Sequence, residues 1–243
     1  MKLARMPDGS PEIFHTLQGE GRNTGLPTVF IRSSLCNLHC VWCDTAYTWN
    51  WEDTSFPHEI GRKYLREDSI IDLKEEEIAK IAKGYRCPNY VFTGGEPLLQ
   101  EKNWVLLMKL LGSGPHFEIE TNGTLLPGSD FLDRINQLNV SPKLRNSEVA
   151  EEKRSRPDVL QTLAETGKAD FKFVVHTSED YEEVEMIVAK ANIPAGHVFL
   201  MPRASSVAEL DENALAVADH AKQRGYRYSD RLHLRLYGAG RGV

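Results

Sequence analysis

The 243-residue chain contains no run of eighteen apolar residues, so it predicts no membrane-spanning helix. Its opening residues, Met1-Lys-Leu-Ala-Arg-Met-Pro7, lack the apolar core of a signal peptide. Cysteine is scarce: four residues, three of them clustered, do not make a secreted disulfide framework. No Walker loop and no dinucleotide fingerprint occurs, which argues against nucleotide-driven chemistry. Basic residues are outnumbered 29 to 35 by acidic ones, giving a net charge of −6. That balance disfavours nucleic acid or an anionic membrane as the main partner. The expectation is a cytoplasmic chain whose thiols stay reduced. An anionic small substrate would need local cations, for which Arg32, Lys143, Arg203 and Arg241 are the candidates.

What is present is ordinary in bulk and unusual in one place. Hydrophobic residues make up 41% and charged residues 26%, enough for a real core, and residues 1–243 read as a single domain. The unusual place is Cys36-Asn-Leu-His-Cys40-Val-Trp-Cys43, a C-x3-C-x2-C loop directly after an apolar run. Linkers this short force three thiolates around one inorganic centre, and soft thiolates favour iron–sulfur clusters, zinc or copper(I). An iron–sulfur cube normally takes four cysteines. The fourth here, Cys87, lies far downstream beside Pro88. A cube held by three would keep one iron open for an outside ligand. A structural zinc site with His39 or His15 as fourth ligand is the competing reading.

Around this loop the pattern alternates between strands and helices. Strands are predicted over 28–33, 90–93, 116–120, 138–141, 170–175 and 198–201, with a possible last one at 232–236. Helices are predicted over 74–84, 98–111, 157–165 and 206–224, and another after a cap at Ser178. In the second of these, Leu99, Val105, Leu106, Met108 and Leu110 are expected to face inward. Residues 1–11 read as a lead-in and 16–27 as a glycine-rich loop. Residues 46–72 form an insertion placed as a flap beside the cysteine loop, with Trp49 and Trp51 either shielding it or simply packed. The charged run 143–156 reads as a solvated face or mobile loop. Six alternations are too few for an eight-stranded barrel. The fold class is therefore α/β, a partial, open TIM-like barrel of about six βα units, with the active loops at the strand C-termini.

The cysteine loop together with Thr93-Gly-Gly-Glu-Pro97 resembles the radical S-adenosylmethionine (SAM) superfamily. Glu12-Ile-Phe-His-Thr-Leu-Gln-Gly-Glu-Gly21, Gly25-Leu-Pro27 and Phe30-Ile-Arg32 add a resemblance to its 7-carboxy-7-deazaguanine synthase family, of the queuosine (7-deazapurine) pathway. The resemblance runs at motif level from about residue 12 to 143 and is looser beyond. It implies a lyase that turns 6-carboxy-5,6,7,8-tetrahydropterin into 7-carboxy-7-deazaguanine with loss of ammonia. It also implies a 4Fe-4S cluster on Cys36, Cys40 and Cys43, SAM, and Mg2+ near Thr45. SAM contacts carry over to Trp42, Cys43, Asp44, Gly95, Glu96, Ser141, Pro142, Lys143, Met201 and Pro202. Substrate contacts carry over to Leu17, Gln18, Gly19, Arg32, Thr93 and the terminal Val243. A homodimer and a flavodoxin-like one-electron reductant protein follow from the same resemblance. No residue is given a proton-transfer role; Glu20 and Glu120 are polar neighbours only.

Two departures stand out. Leu35 occupies a position where the family commonly has glycine, and the chain ends in Gly-Val rather than in proline. Two other functions stay open at this point. One is a different radical SAM enzyme, such as an activase of a glycyl radical enzyme. The other is a noncatalytic zinc-binding module.

Overall fold

The computed structural model describes residues 1–243. Its strands are β1 (Lys2–Ala4), β2 (Ile13–Leu17), β3 (Pro27–Ser33), β4 (Ile70–Asp72), β5 (Asn89–Gly94), β6 (His116–Thr121), β7 (Gln137–Val140), β8 (Ala169–Val175), β9 (Val198–Pro202) and β10 (Arg227–Tyr228). They form one sheet in the order β10-β9-β8-β7-β6-β5-β3-β1-β4, with β2 paired to β3 off that path. Neighbours from β3 to β10 run parallel. Six of these strands each lead into a helix, the open α/β barrel expected from the alternation.

The barrel strands are two-faced, and this sets up everything that follows. One face carries Ile31, Phe92, Ile119, Leu138, Val140, Phe171 and Phe173 into a core of 37 buried residues beneath the helices. Burying each such side chain contributes about 1.5–3 kcal/mol. The other face carries Arg32, Thr93, Glu118, Glu120, Gln137, Asn139, Asp170 and Lys172. Register keeps them level, with Arg32 beside Thr93, Glu120 beside Asn139, and Asn139 beside Asp170. A sheet face this polar and this buried is not a packing face; it lines a site.

Several expectations are corrected. Residues 1–11 are more than a lead-in, because Lys2–Ala4 pairs antiparallel with both β3 and β4. Thr16 and Leu17, expected within the glycine-rich loop, end the strand β2, which runs antiparallel to β3. The stretch Leu232–Tyr237 is a short helix, not a last strand. Its leucines alternate, but only Leu234 is buried, against Ala204 and Leu210, while Leu236 is exposed and Arg227–Tyr228 already occupies the β9 edge. In the helix Glu101–Leu111 the buried residues are Trp104, Val105, Leu107, Met108 and Leu111, whereas Leu99 and Leu106 face solvent. Trp104 decides the rotation: its ring stacks on Phe92 at 4.5 Å and its indole N–H donates to the Pro97 carbonyl at 2.8 Å. Thr177, rather than Ser178, caps the next helix, in a reciprocal box with Asp180.

Candidate active site

The parallel strands end on one side, and the loops expected to matter are gathered there. The cysteine loop leaves β3 through Leu35, whose φ of +80° is the left-handed conformation that glycine adopts without cost. This explains why glycine suits that position. The loop is clamped from below by the end of β5. A Cβ on Gly94 would lie 2.0 Å from the Ser33 carbonyl oxygen, and one on Gly95 would lie 2.2 Å from that of Leu35. The two glycines therefore serve close approach of two backbones. Glu96 is fully buried and locks the turn onto β6. Its Oε1 accepts from Leu98 N at 3.0 Å and Thr121 Oγ1 at 2.8 Å, and its Oε2 accepts from Asn122 N at 2.7 Å. Burial pushes its pKa up against these bonds. Oε2 keeps a lone pair for an incoming donor.

From the other side the cysteine loop is braced by the charged run, which is not a free solvated loop. Asn146 O accepts from the Trp42 indole at 2.8 Å, and Ser147 O accepts from Val41 N at 3.1 Å. Arg154 is buried and donates to the Lys143 carbonyl at 3.1 Å and to Glu183 at 2.5 Å. Lys143 bonds Ser141 Oγ at 2.8 Å, and both Lys143 and Arg203 approach the Trp42 ring, at 5.8 and 5.9 Å. Trp42, Ser141, Lys143 and the residue after Met201-Pro202 thus converge. The flap does lie on the loop: Trp49 is buried, with its indole N–H 3.4 Å from Cys43 Sγ, and His58 meets the Cys43 carbonyl at 2.9 Å. Thr45 Oγ1 is 3.5 Å from the same sulfur.

The three clustered cysteines supply the soft thiolate donors that an iron–sulfur cluster takes. All four cysteines are free. No group of three His, Cys, Asp or Glu side chains is close enough to hold one metal ion. His39 stacks on Phe56 with ring centroids 3.5 Å apart, and His15 packs against Tyr85. Cys87 bonds the carbonyl of Pro27, at the opposite end of β3. Leu38 N–H points at the Cys36 sulfur at 3.5 Å and the Trp49 indole at that of Cys43 at 3.4 Å. Burial pushes Cys40 up to about 12 and raises Cys36 and Cys43 as well. Without iron to stabilise the thiolates, the loop would hold thiols.

The predicted substrate loop crosses the polar face. Gln18 reaches Glu118 and Glu120 at 3.4 Å, Gly21 N–H donates to Ser229 at 2.9 Å, and Arg22 forks onto Asp170 at 2.6 Å. Gly19 is needed for His233, whose Nδ1 lies 2.5 Å from where a Cβ would sit. Two charged residues that brace this face escaped the sequence reading. Lys172 bonds Glu20 at 2.5 Å and Glu120 at 3.1 Å, and Arg231 bonds Glu20 at 3.1 Å and Asp44 at 2.6 Å. A signal for Lys172 was there, in Asp170-Phe-Lys172-Phe, where charge alternates with aromatics inside a strand. Burial opposes ionisation of Glu20, but Lys172 and Arg231 outweigh it and hold the carboxyl well below its usual range. Val243 is half-exposed, and its terminal carboxylate pairs with no cation.

The radical SAM superfamily model matches residues 30–230. A 7-carboxy-7-deazaguanine synthase of Pyrobaculum aerophilum is 38% identical over 235 residues, 95% of each chain. One of Halobacterium salinarum is 34% identical over 247 residues, covering 93% of this chain and 89% of that one. The chain belongs to the 7-carboxy-7-deazaguanine synthase family of the radical SAM superfamily. Among solved structures, QueE from Escherichia coli superposes with a TM-score of 0.67 at 25% identity, over 96% of this chain and 95% of that one. Radical SAM proteins work with a 4Fe-4S cluster and SAM, and the cysteine loop has the donors for that pair. A zinc module does not account for these matches. No helix is long and apolar enough to cross a membrane.

Proposed function

We propose that the chain is a lyase that converts 6-carboxy-5,6,7,8-tetrahydropterin to 7-carboxy-7-deazaguanine and ammonia. The observation that carries this is near-full-length identity to synthases of that name, joined to three free thiols beside an arginine with an open fork. When bound, the cluster and SAM would supply the radical chemistry that removes hydrogen from C6 of the pterin, with SAM acting as a cofactor.

The chain's own residues position, neutralise and exclude water. Cys36, Cys40 and Cys43 hold the cluster, and Trp49 covers it. Trp42, Asp44, Gly95, Glu96, Ser141, Pro142, Lys143, Met201 and Pro202 hold SAM. Arg32 donates its Nε to Glu12 at 2.8 Å, and neither Nη has a protein acceptor, so the fork is available for a carboxylate. Leu17, Gln18, Gly19 and Thr93 bound the rest of the substrate, with Lys172 and Glu120 at its polar wall. Thr45 offers one oxygen to Mg2+, and substrate oxygens and water fill the other places. The terminal Val243 stays a substrate contact in this proposal. The working form is a cytoplasmic homodimer, reduced by a flavodoxin-like protein.

Anaerobic incubation of the reconstituted protein with SAM, Mg2+, dithionite and the pterin, read by mass spectrometry, tests the proposal. It predicts one 7-carboxy-7-deazaguanine and one ammonia per pterin consumed. Release of 5′-deoxyadenosine without that product would overturn the substrate and leave the radical chemistry.

A further inference from the structure

Beside the open fork of Arg32 sits a carboxylate with three side-chain donors, one of them a second arginine. Glu12 is almost fully buried, immediately before β2. Its Oε1 accepts from Arg32 Nε at 2.8 Å and from the Tyr47 hydroxyl at 3.0 Å. Its Oε2 accepts from Arg241 Nη2 at 2.6 Å. Arg241 comes from the last three residues of the chain. It also donates to the Arg5 carbonyl at 2.9 Å, and its guanidinium lies 3.6 Å over the Tyr47 ring. Behind it, Gly242 adopts a φ of +72°, and a Cβ there would meet Met6 at 3.0 Å. The tail is therefore seated, and its one charged anchor is this arginine.

Charge counting shows what the cluster lacks. Two guanidiniums share one carboxylate in a sheltered place, an excess of one positive charge, and the nearby Asp44 is already bonded to Arg231. Burial works against an ionised Glu12, yet Arg32 and Arg241 together hold its carboxyl below the usual range. The Nε of Arg32 is committed to Glu12 at 2.8 Å, which leaves the Nη pair for an outside acceptor.

Resting on the assignment of Arg32 to substrate, we propose that Glu12 and Arg241 are positioning residues for it. They hold its Nε edge, so that the Nη pair presents a bidentate seat for the pterin carboxylate, and recognition of that carboxylate depends on the C-terminal tail being docked. Arg241 itself does not touch the substrate. It keeps Glu12 charged and oriented, supplies the second positive charge of the seat, and couples the seat to the chain's last residues.

The test compares two non-reacting ligands on the SAM-loaded holoenzyme by fluorescence titration: pterin-6-carboxylate, and pterin without the carboxylate. The wild-type protein prefers the carboxylate. Arg241→Ala reduces that preference by about tenfold, as for one lost charge-assisted contact, and leaves the binding of plain pterin unchanged. Arg241→Lys recovers part of the preference. In turnover, Arg241→Ala raises KM by a similar factor with kcat nearly constant, the mark of uniform binding loss. If Arg241→Ala weakens both ligands alike, or neither, the positioning role is overturned and the arginine is only a structural tether. If the wild-type protein itself fails to distinguish the two ligands, the assignment of Arg32 falls, and the proposal falls with it.

Discussion

Arg231 Nη2 donates to Asp44 Oδ2 at 2.6 Å, across 187 residues of sequence, and so ties the helix Leu232–Tyr237 to the residue after the last clustered cysteine. The same guanidinium holds Glu20 through Nε at 3.1 Å. One side chain thus joins the cysteine loop, the substrate loop and the C-terminal helix.

Removing that join should be costly. Arg231→Ala leaves Asp44 without a cation and Glu20 with Lys172 alone, and is expected to lower unfolding free energy by about 2–3 kcal/mol in a denaturant titration. Arg231→Lys should recover less than half, because an ammonium cannot span two carboxylates as a fork does. A loss below about 0.5 kcal/mol, as for an ordinary surface residue, would contradict the bridging role.

The glycine clamp makes a second prediction. Gly94→Ala and Gly95→Ala each drive a methyl into a carbonyl oxygen of the 33–35 segment. Both should purify with little iron and sulfide, and with weak absorbance near 400 nm. Gly84→Ala is the control: a helical position with nothing within 4 Å, expected to be neutral or to gain up to about 1 kcal/mol. Full cluster content in Gly95→Ala would show that the clamp is dispensable.

Trp49 tests the shielding of Cys43. Trp49→Phe keeps the ring but removes the N–H that lies 3.4 Å from the sulfur. Hydrogen bonds to cluster sulfurs raise the potential. Loss of one worth about 0.5–1.5 kcal/mol should lower it by about 20–60 mV in an EPR-monitored redox titration. An unchanged or raised potential would mean that the indole donates elsewhere in the loaded protein.

Acid and alkali should destabilise the cluster-free protein for different reasons. Glu12 and Glu20 sit below their ordinary 4.5 in the fold, so the stability they contribute is present above that pH and is lost as pH falls below it. The three loop thiols sit above their ordinary 9.0, so their contribution is present below pH 9 and is lost as pH rises beyond it. Thermal melts of the cluster-free protein should therefore lose these contributions below about pH 4.5 and above about pH 9. Cluster loading, which must expel the thiol protons, should speed up with pH inside that window. A loading rate independent of pH would contradict the buried-thiol account.

The parallel strands and the cysteine loop were legible because their signals are local. An apolar β-rich run, a C-x3-C-x2-C spacing and a strand ending in two glycines each sit within a few residues. What escaped was set by distant partners. Lys2–Ala4 becomes a strand only because β3 and β4 offer it two edges. The leucines at 232, 234 and 236 imitate a strand, but Arg227–Tyr228 already holds the edge they would need. Trp104 turns its helix by about one position through a contact with Phe92, which the helix's own sequence does not reveal. Lys172 meets Glu20 across 152 residues, and Arg241 meets Glu12 across 229.

The most direct measurement follows the hydrogen at C6. With substrate deuterated at C6 and unlabelled SAM, recovered SAM should carry deuterium on its 5′ carbon while 7-carboxy-7-deazaguanine accumulates in excess of enzyme. Unlabelled SAM alongside product, or one 5′-deoxyadenosine consumed per turnover, would contradict radical abstraction at C6 with SAM returned as a cofactor.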